Sequence, residues 1–222
     1  MKYYRFYISA ESSVIGKYPQ IHQCIVPTTV NDPNYIDNFF WEKVPEFTLL
    51  PQGILDRKAK KTDLISVSFI GFSTRLFVSC KLGKILENFN YWGLQYLPTT
   101  LIDNNSTKDE YWIINPYYAA YECLDFDSSL FSHYVSSFQP PEKKLVFKNA
   151  SDFIKVQDQL PSGQFIQIER ICLKSDNDKD FFAIKNVSGD GTGYFVSQRL
   201  KDKIQDAGCI GMVFKEPNEI YP

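Results

Sequence analysis

The chain carries one phrase twice. Phe77-Val78-Ser79-Cys80-Lys81-Leu82 returns as Phe195-Val196-Ser197-Gln198-Arg199-Leu200, at an offset of 118 residues. At the same offset Leu86 meets Ile204, Gly93 meets Gly211, Leu94 meets Met212 and Tyr96 meets Phe214. An internal repeat constrains a fold strongly, because each copy is expected to form the same supersecondary unit.

The clearest local signal within the repeat is a helix. Ser79 and Ser197 suit the N-cap, where a hydroxyl accepts a bond from an early backbone N–H. Leu82, Leu86 and Phe89, and then Leu200, Ile204 and Ala207, recur at i, i+4 and i+7, giving each helix one apolar stripe. Gly208 stands where a C-terminal glycine belongs. A short strand is predicted after each helix, over 94–97 and 211–214. Ahead of them, 64–70 alternates as a half-buried strand should, and 181–184 reads as its counterpart. Strands are also predicted over 47–55 and 165–173. Charged stretches, 56–63 and 174–180, follow these and read as hairpin loops. The predicted fold class is α+β: two diverged strand–hairpin–helix–strand units, mainly antiparallel sheet and few helices.

Outside the repeat, 3–8 is rich in strand formers. Residues 9–46 carry Pro19, Pro27 and Pro33 and read as loops with short elements. A polar loop at 103–109 precedes a predicted strand at 110–114. A strand is expected at 145–147, and a helix at 151–160 stopped by Pro161. The chain divides into halves 1–103 and 104–222, each with one copy, or forms one continuous domain.

At 222 residues there is enough chain for sizeable cores. A net charge of −2 argues against a general nucleic-acid binder, whose domains are strongly basic. Aromatics make up 16% of the chain, with 14 Tyr, more hydroxyls than a core can readily partner, so some tyrosines are expected at the surface, where interfaces use them. The five cysteines, Cys24, Cys80, Cys123, Cys172 and Cys209, are odd in number and widely spaced, which reads as reduced thiols in packing roles rather than a disulfide framework. No apolar run is long enough to span a bilayer and the start lacks a signal-peptide pattern, so a cytoplasmic location is expected.

No residue set announces a reaction. Asp176-x-Asp178-x-Asp180 has the opening spacing of a calcium loop, but Phe181 occupies the glycine position and Val187 the bidentate one. Gly189-x-Gly191-x-Gly193 is neither a dinucleotide fingerprint nor a phosphate loop. Lys81 and Arg199 lie near helix N-termini, where with the serines they could hold an anion or simply point to water. His22 and His133 with scattered cysteines make no convincing zinc site. Glu122, Asp125, Asp127, Ser128, Ser129 and His133 supply acid, base and nucleophile types for a hydrolase, without a recognisable motif. No catalytic, cofactor or metal residues are therefore assigned. The charged loops differ in sign between copies. Arg57, Lys58, Lys60 and Lys61 make one basic, whereas Asp176, Asp178 and Asp180 make the other acidic; both are candidates for binding a protein partner.

The ending, Tyr194-Phe195-Val196-Ser197 through the Leu200 helix and Gly208 to Met212-Val213-Phe214, resembles a bacterial immunity-protein family of polymorphic toxin systems (immunity family eleven, formerly a domain of unknown function). Leu94 to Pro98, Tyr111-Trp112-Ile113-Ile114-Asn115-Pro116 and Leu124-Asp125 are similar as well. The resemblance implies a non-enzymatic cytoplasmic antidote that binds a cognate protein toxin and blocks it, with no cofactor, nucleic acid or membrane involved. A hydrolase using carboxylates near Asp125 and His133, or a small-ligand or glycan-binding domain built on exposed aromatics, are the alternatives.

Overall fold

The computed structural model describes residues 1–29, 31–68, 72, 74–103 and 108–218. In chain order the strands are β1 (Tyr3–Ile8), β2 (Ile21–Ile25), β3 (Gln52–Leu55), β4 (Leu64–Ile65), β5 (Leu76–Ser79), β6 (Tyr91–Trp92) and β7 (Leu94–Ile102). They continue with β8 (Lys108–Pro116), β9 (Leu130–Tyr134), β10 (Lys143–Leu145), β11 (Phe165–Arg170), β12 (Phe181–Val187), β13 (Gly191–Ser197) and β14 (Met212–Lys215). The helices are α1 (Ser12–Ile15), α2 (Cys80–Glu87), α3 (Ala150–Asp158) and α4 (Gln198–Asp206). The class is α+β, as expected from the sequence.

Two sheets form. One runs β10-β9-β11-β12-β13-β1-β14, with β6 also paired to β12; the other runs β2-β3-β7-β8-β5-β4. Most pairs are antiparallel; β3–β7, β11–β12 and β6–β12 are parallel. Four strands of each sheet share one order. β4-β5-β8-β7 in one matches β12-β13-β1-β14 in the other, all antiparallel. Registers agree too. Val78 faces Leu64 as Val196 faces Phe181; Ser79 faces Tyr111 as Ser197 faces Tyr3; Leu94 faces Pro116 as Met212 faces Ile8. β8 of the first unit is thus matched in the second by β1, the first strand of the whole chain. Residues 102 and 108, on either side of the expected division into halves, face each other across one hairpin.

Alternation sorts the side chains of these strands into three cores. Leu64, Val78, Ile114, Phe6, Phe181, Val196 and the helix residues Leu82, Leu86, Leu200 and Ile204 meet in a central core shared by both sheets. Their neighbours turn the other way. Ile65, Phe77 and Ile113 join one flanking core with Ile21 and Leu55. Tyr3, Phe182 and Phe195 join the other, around Phe131, Phe147 and Phe153. Burial on both faces explains why Phe181-Phe182-Ala183-Ile184 is apolar without interruption, all four at 0% exposure.

Several expectations are corrected. Neither charged stretch is a hairpin loop. β3 and β4 lie in separate parts of their sheet, and β11 and β12 are parallel, so both stretches are crossovers. The half-buried strand at 64–70 is shorter, Leu64–Ile65, and both its residues are fully buried; Phe69 and Ile70 lie outside the described residues, as do 104–107 of the polar loop. The strand expected at 145–147 ends at Leu145, and the one at 94–97 extends to Ile102. The 151–160 helix begins earlier, capped by Asn149, whose side chain accepts the Asp152 N–H.

Candidate functional site

The two serines cap their helices as expected. Ser79 Oγ accepts the Leu82 N–H at 3.2 Å and Ser197 Oγ accepts the Leu200 N–H at 3.2 Å. Each hydroxyl then donates onward to a carboxylate: Ser79 to Asp63 Oδ1 at 2.7 Å, Ser197 to Asp180 Oδ1 at 2.6 Å. The backbone N–H of each serine also donates to the carbonyl of the same aspartate. A tyrosine closes each group from the facing strand. Tyr111 donates to the Thr62 carbonyl and Tyr3 to the Lys179 carbonyl, each one residue before the aspartate.

The units are tied together through these aspartates. After α2, Asn90 N–H donates to Asp180 Oδ2, and the Asn90 carbonyl accepts the Asp180 N–H. After α4, Ile210 N–H donates to Asp63 Oδ2, and the Ile210 carbonyl accepts the Asp63 N–H. Each helix therefore leaves its own unit to satisfy the aspartate of the other. The chain turns at glycines in left-handed conformations. Gly93 has φ +67° and Gly211 φ +97°, and a Cβ at Gly211 would stand 2.3 Å from the Leu64 carbonyl oxygen, so no other residue fits. Replacing Ser79 by Ala is expected to cost about 1 kcal/mol, the ordinary worth of an N-cap, and to lower Tm by about 2–4 °C on a calorimetric scan.

The two aspartates differ in one respect. Asp180 is also held by Arg199, whose Nε and Nη2 each donate at 2.6 Å to one carboxylate oxygen. Burial pulls the Asp180 carboxyl up, but the Arg199 and Ser197 hydrogen bonds, the Asn90 amide and the guanidinium charge outweigh it, so it is held below its ordinary value. Asp63 has Lys81 at the position of Arg199, and among the described residues neither forms an ion pair. A recess of about 410 Å³ opens there, bounded by Lys61, Asp63, Ser79, Lys81, Asp109 and Ile210.

The predicted binding residues fall in several places. Arg57 and Lys58 are exposed. Lys60 Nζ donates to the Ser13 carbonyl and Lys61 pairs with Asp109 at 2.8 Å, so both hold the crossover in place. Asp176 is exposed, and Asp178 pairs with Lys179 and accepts from Asn90. Asp180 is not at a loop tip: it is 1% exposed, because it is the buried anchor just described. Among the described residues no group of three His, Cys, Asp or Glu is placed to hold a metal ion. Gly189 and Gly191 shape the turn between β12 and β13, where Asp190 pairs with Arg5, a poor surrounding for phosphate.

The residues of a hydrolase do not assemble. His133 lies within β9, with Nδ1 at 2.7 Å from Glu142 and Nε2 at 2.9 Å from Gln164. Asp125 instead accepts from Ser128 Oγ, a bond that leads in holding its carboxyl below the ordinary value. Ser129 Oγ donates to the Cys172 carbonyl. Both histidine nitrogens are thus occupied by partners other than Asp125 or either serine. The five cysteines are free, and burial pushes the Cys123 thiol up to about 12, which makes it a poor nucleophile.

Sequence reasoning missed an aromatic surface. Tyr117 and Tyr118 N–H groups both donate to the Gly93 carbonyl, which brings Tyr118 against Trp92, edge to face with ring centroids 5.9 Å apart. Trp92 is 43% exposed and Tyr118 45%, with Phe40 at 49%. Lysines cover these rings: Lys179 stands over Trp92, Lys43 over Tyr117 and Lys185 over Phe40. Trp41, with φ +59°, borders a shallow recess of about 230 Å³ beside Tyr117, Tyr118, Ile154 and Lys185. The surplus of tyrosine was the available signal; which rings would meet was not readable locally.

Residues 8–219 match the Imm11 immunity protein family, almost the whole chain. The chain belongs to this family. No curated protein matches it. In this Imm11 member the match spans both aspartate–serine groups and the aromatic surface, apart from β1 itself, whose last residue opens the matched range. No helix among the described residues is long and apolar enough to cross a membrane.

Proposed function

We propose that this Imm11 protein is a non-enzymatic antidote that binds a cognate protein toxin in the cytoplasm and blocks its activity. Family membership over residues 8–219 carries the reading. The aromatic surface supports it. Trp92, Tyr118 and Phe40 are large and exposed, and Trp and Tyr are the residue types in which binding hot spots are enriched. The recess beside them is smaller than the cavities that enclose small ligands, at about 230 Å³ against the usual 300–1,000 Å³ or so, which favours a protein face over a glycan or metabolite. Asp178 joins this face through Asn90 and Lys179, so the acidic loop contributes there, while Arg57 and Lys58 offer cations on the other crossover.

Co-expression with toxins encoded beside the gene tests the reading. Protection of cells and co-purification of a stoichiometric complex are expected with one of them. Trp92→Ala alone is expected to weaken that complex about 30-fold or more, since a hot-spot aromatic contributes about 2 kcal/mol or more. Absence of protection and of a complex with every neighbouring toxin would refute it.

A further inference from the structure

The second unit shows what the first one lacks. Asp180 accepts four kinds of bond: Ser197 Oγ and Arg199 Nε at Oδ1, Asn90 N–H and Arg199 Nη2 at Oδ2. Asp63 accepts the first and third of these, from Ser79 Oγ at Oδ1 and Ile210 N–H at Oδ2. A carboxylate has about four lone-pair sites, two on each oxygen. In unit two a guanidinium fork fills the remaining pair; in unit one they have no charged partner and border an open recess of about 410 Å³. Lys81, at the position of Arg199, carries a point charge with no fork and cannot make two parallel bonds. Three carboxylates, Asp63, Asp109 and Glu110, stand against two ammonium groups, Lys61 and Lys81, and Lys61 is already engaged by Asp109. Ile210, 50% exposed, forms an apolar rim against which an aliphatic stem can lie.

We propose that this recess is a seat for a guanidinium group, filled in the toxin complex by an arginine side chain of the partner. The partner clause rests on the immunity reading above; the seat itself rests on the geometry that the two units share. The arginine would donate Nε to one oxygen of Asp63 and Nη2 to the other, reproducing the Arg199–Asp180 fork. The partner toxin then carries a protruding arginine on the surface it presents, and a lysine there would bind more weakly.

Nitrogen-15 NMR on the full chain tests the seat. The probe is N-acetylarginine methylamide, with N-acetylcitrulline methylamide as the uncharged isostere. The arginine compound is expected to shift the Ile210 and Leu82 amide signals in a saturable way, and the citrulline compound is not. Two variants check the site. Asp63→Asn removes the charge, and Lys81→Arg supplies the missing fork from within, so each is expected to abolish the response. No shift, an equal shift with citrulline, or a response that survives Lys81→Arg would overturn the seat. With a neutralised toxin in hand, Lys81→Arg is expected to weaken the complex at least tenfold; unchanged affinity would overturn the partner arginine. Arginine binding without protection from any toxin would defeat the immunity reading and leave the seat standing, whereas protection without an arginine response would do the reverse.

Discussion

A chain lacking residues 1–8 is expected not to fold. β1 is the central partner of β13 and β14, so its removal breaks a ladder on both sides and parts the last strand from its sheet. Tyr3, Tyr4 and Phe6 are each under 8% exposed, and Tyr3 and Phe6 pack against Phe182 and Phe181. Burying each of these side chains contributes about 1.5–3 kcal/mol, and the three together reach the scale of a whole domain's net stability, about 5–15 kcal/mol. Loss of the Tyr3 bond to the Lys179 carbonyl would also loosen the Asp180 group. Circular dichroism and a urea titration would show this as loss of the cooperative transition. A synthetic peptide of residues 1–10 added to the truncated chain is expected to restore it. A truncated chain that unfolds cooperatively at an unchanged midpoint would rule out the interleaved arrangement.

The second large effect belongs to Asp180. Replacing it by Ala removes acceptors for Ser197 Oγ, both Arg199 nitrogens and the Asn90 amide at once. Breaking a buried charged pair costs about 3–5 kcal/mol, because the remaining group is left unpaired. Arg199 is 58% exposed and can turn to water, so the lower end, about 3 kcal/mol, is expected here. The effect depends on pH with a definite sign. A carboxyl whose folded pKa lies below its unfolded value gives stability that is present above the unfolded value, near pH 4, and is lost as pH falls through the folded value. Urea unfolding of both proteins is therefore expected to show the full difference at pH 7 and a smaller one at pH 3. An equal difference at both values would show that Asp180 acts through shape, not charge. Asp63→Ala is expected to cost less, since Asp63 is only partly buried and pairs with no guanidinium.

Family membership and the aromatic face point to the same class of function by independent routes. The first comes from nearly the whole sequence, the second from where a handful of rings end up. The two charged crossovers enter differently from one another. Lys60 and Lys61 are tied to Ser13 and Asp109, Asp178 to Lys179 and Asn90, and Asp180 is buried, which sets them apart from the exposed Arg57, Lys58 and Asp176. A charge cluster read from sequence cannot distinguish these cases. The difference lies in whether a distant backbone or side chain comes to meet it, as Asn90 meets Asp180 from 90 residues away.

The sequence by itself determined the local units. Ser79 and Ser197 cap helices, Leu82, Leu86, Leu200 and Ile204 turn inward, and β1, β8 and β12 are strands, because caps and apolar periods act over a few residues. It also held the family, legible in the motifs of 94–125 and 194–214 and matched over 8–219. Tertiary structure decided everything that joins distant segments. It placed the first strand of the chain in the second unit, made crossovers of two apparent hairpins, and exchanged the segments after α2 and α4 between the aspartates. Strand partners and buried carboxylates are chosen by which surfaces can exclude water together, and for the two aspartates that choice joins segments 90 and 147 residues apart. The repeated Phe-Val-Ser phrase announced two equivalent helices; only the packed molecule showed that one of their aspartates is closed by an arginine and the other is open.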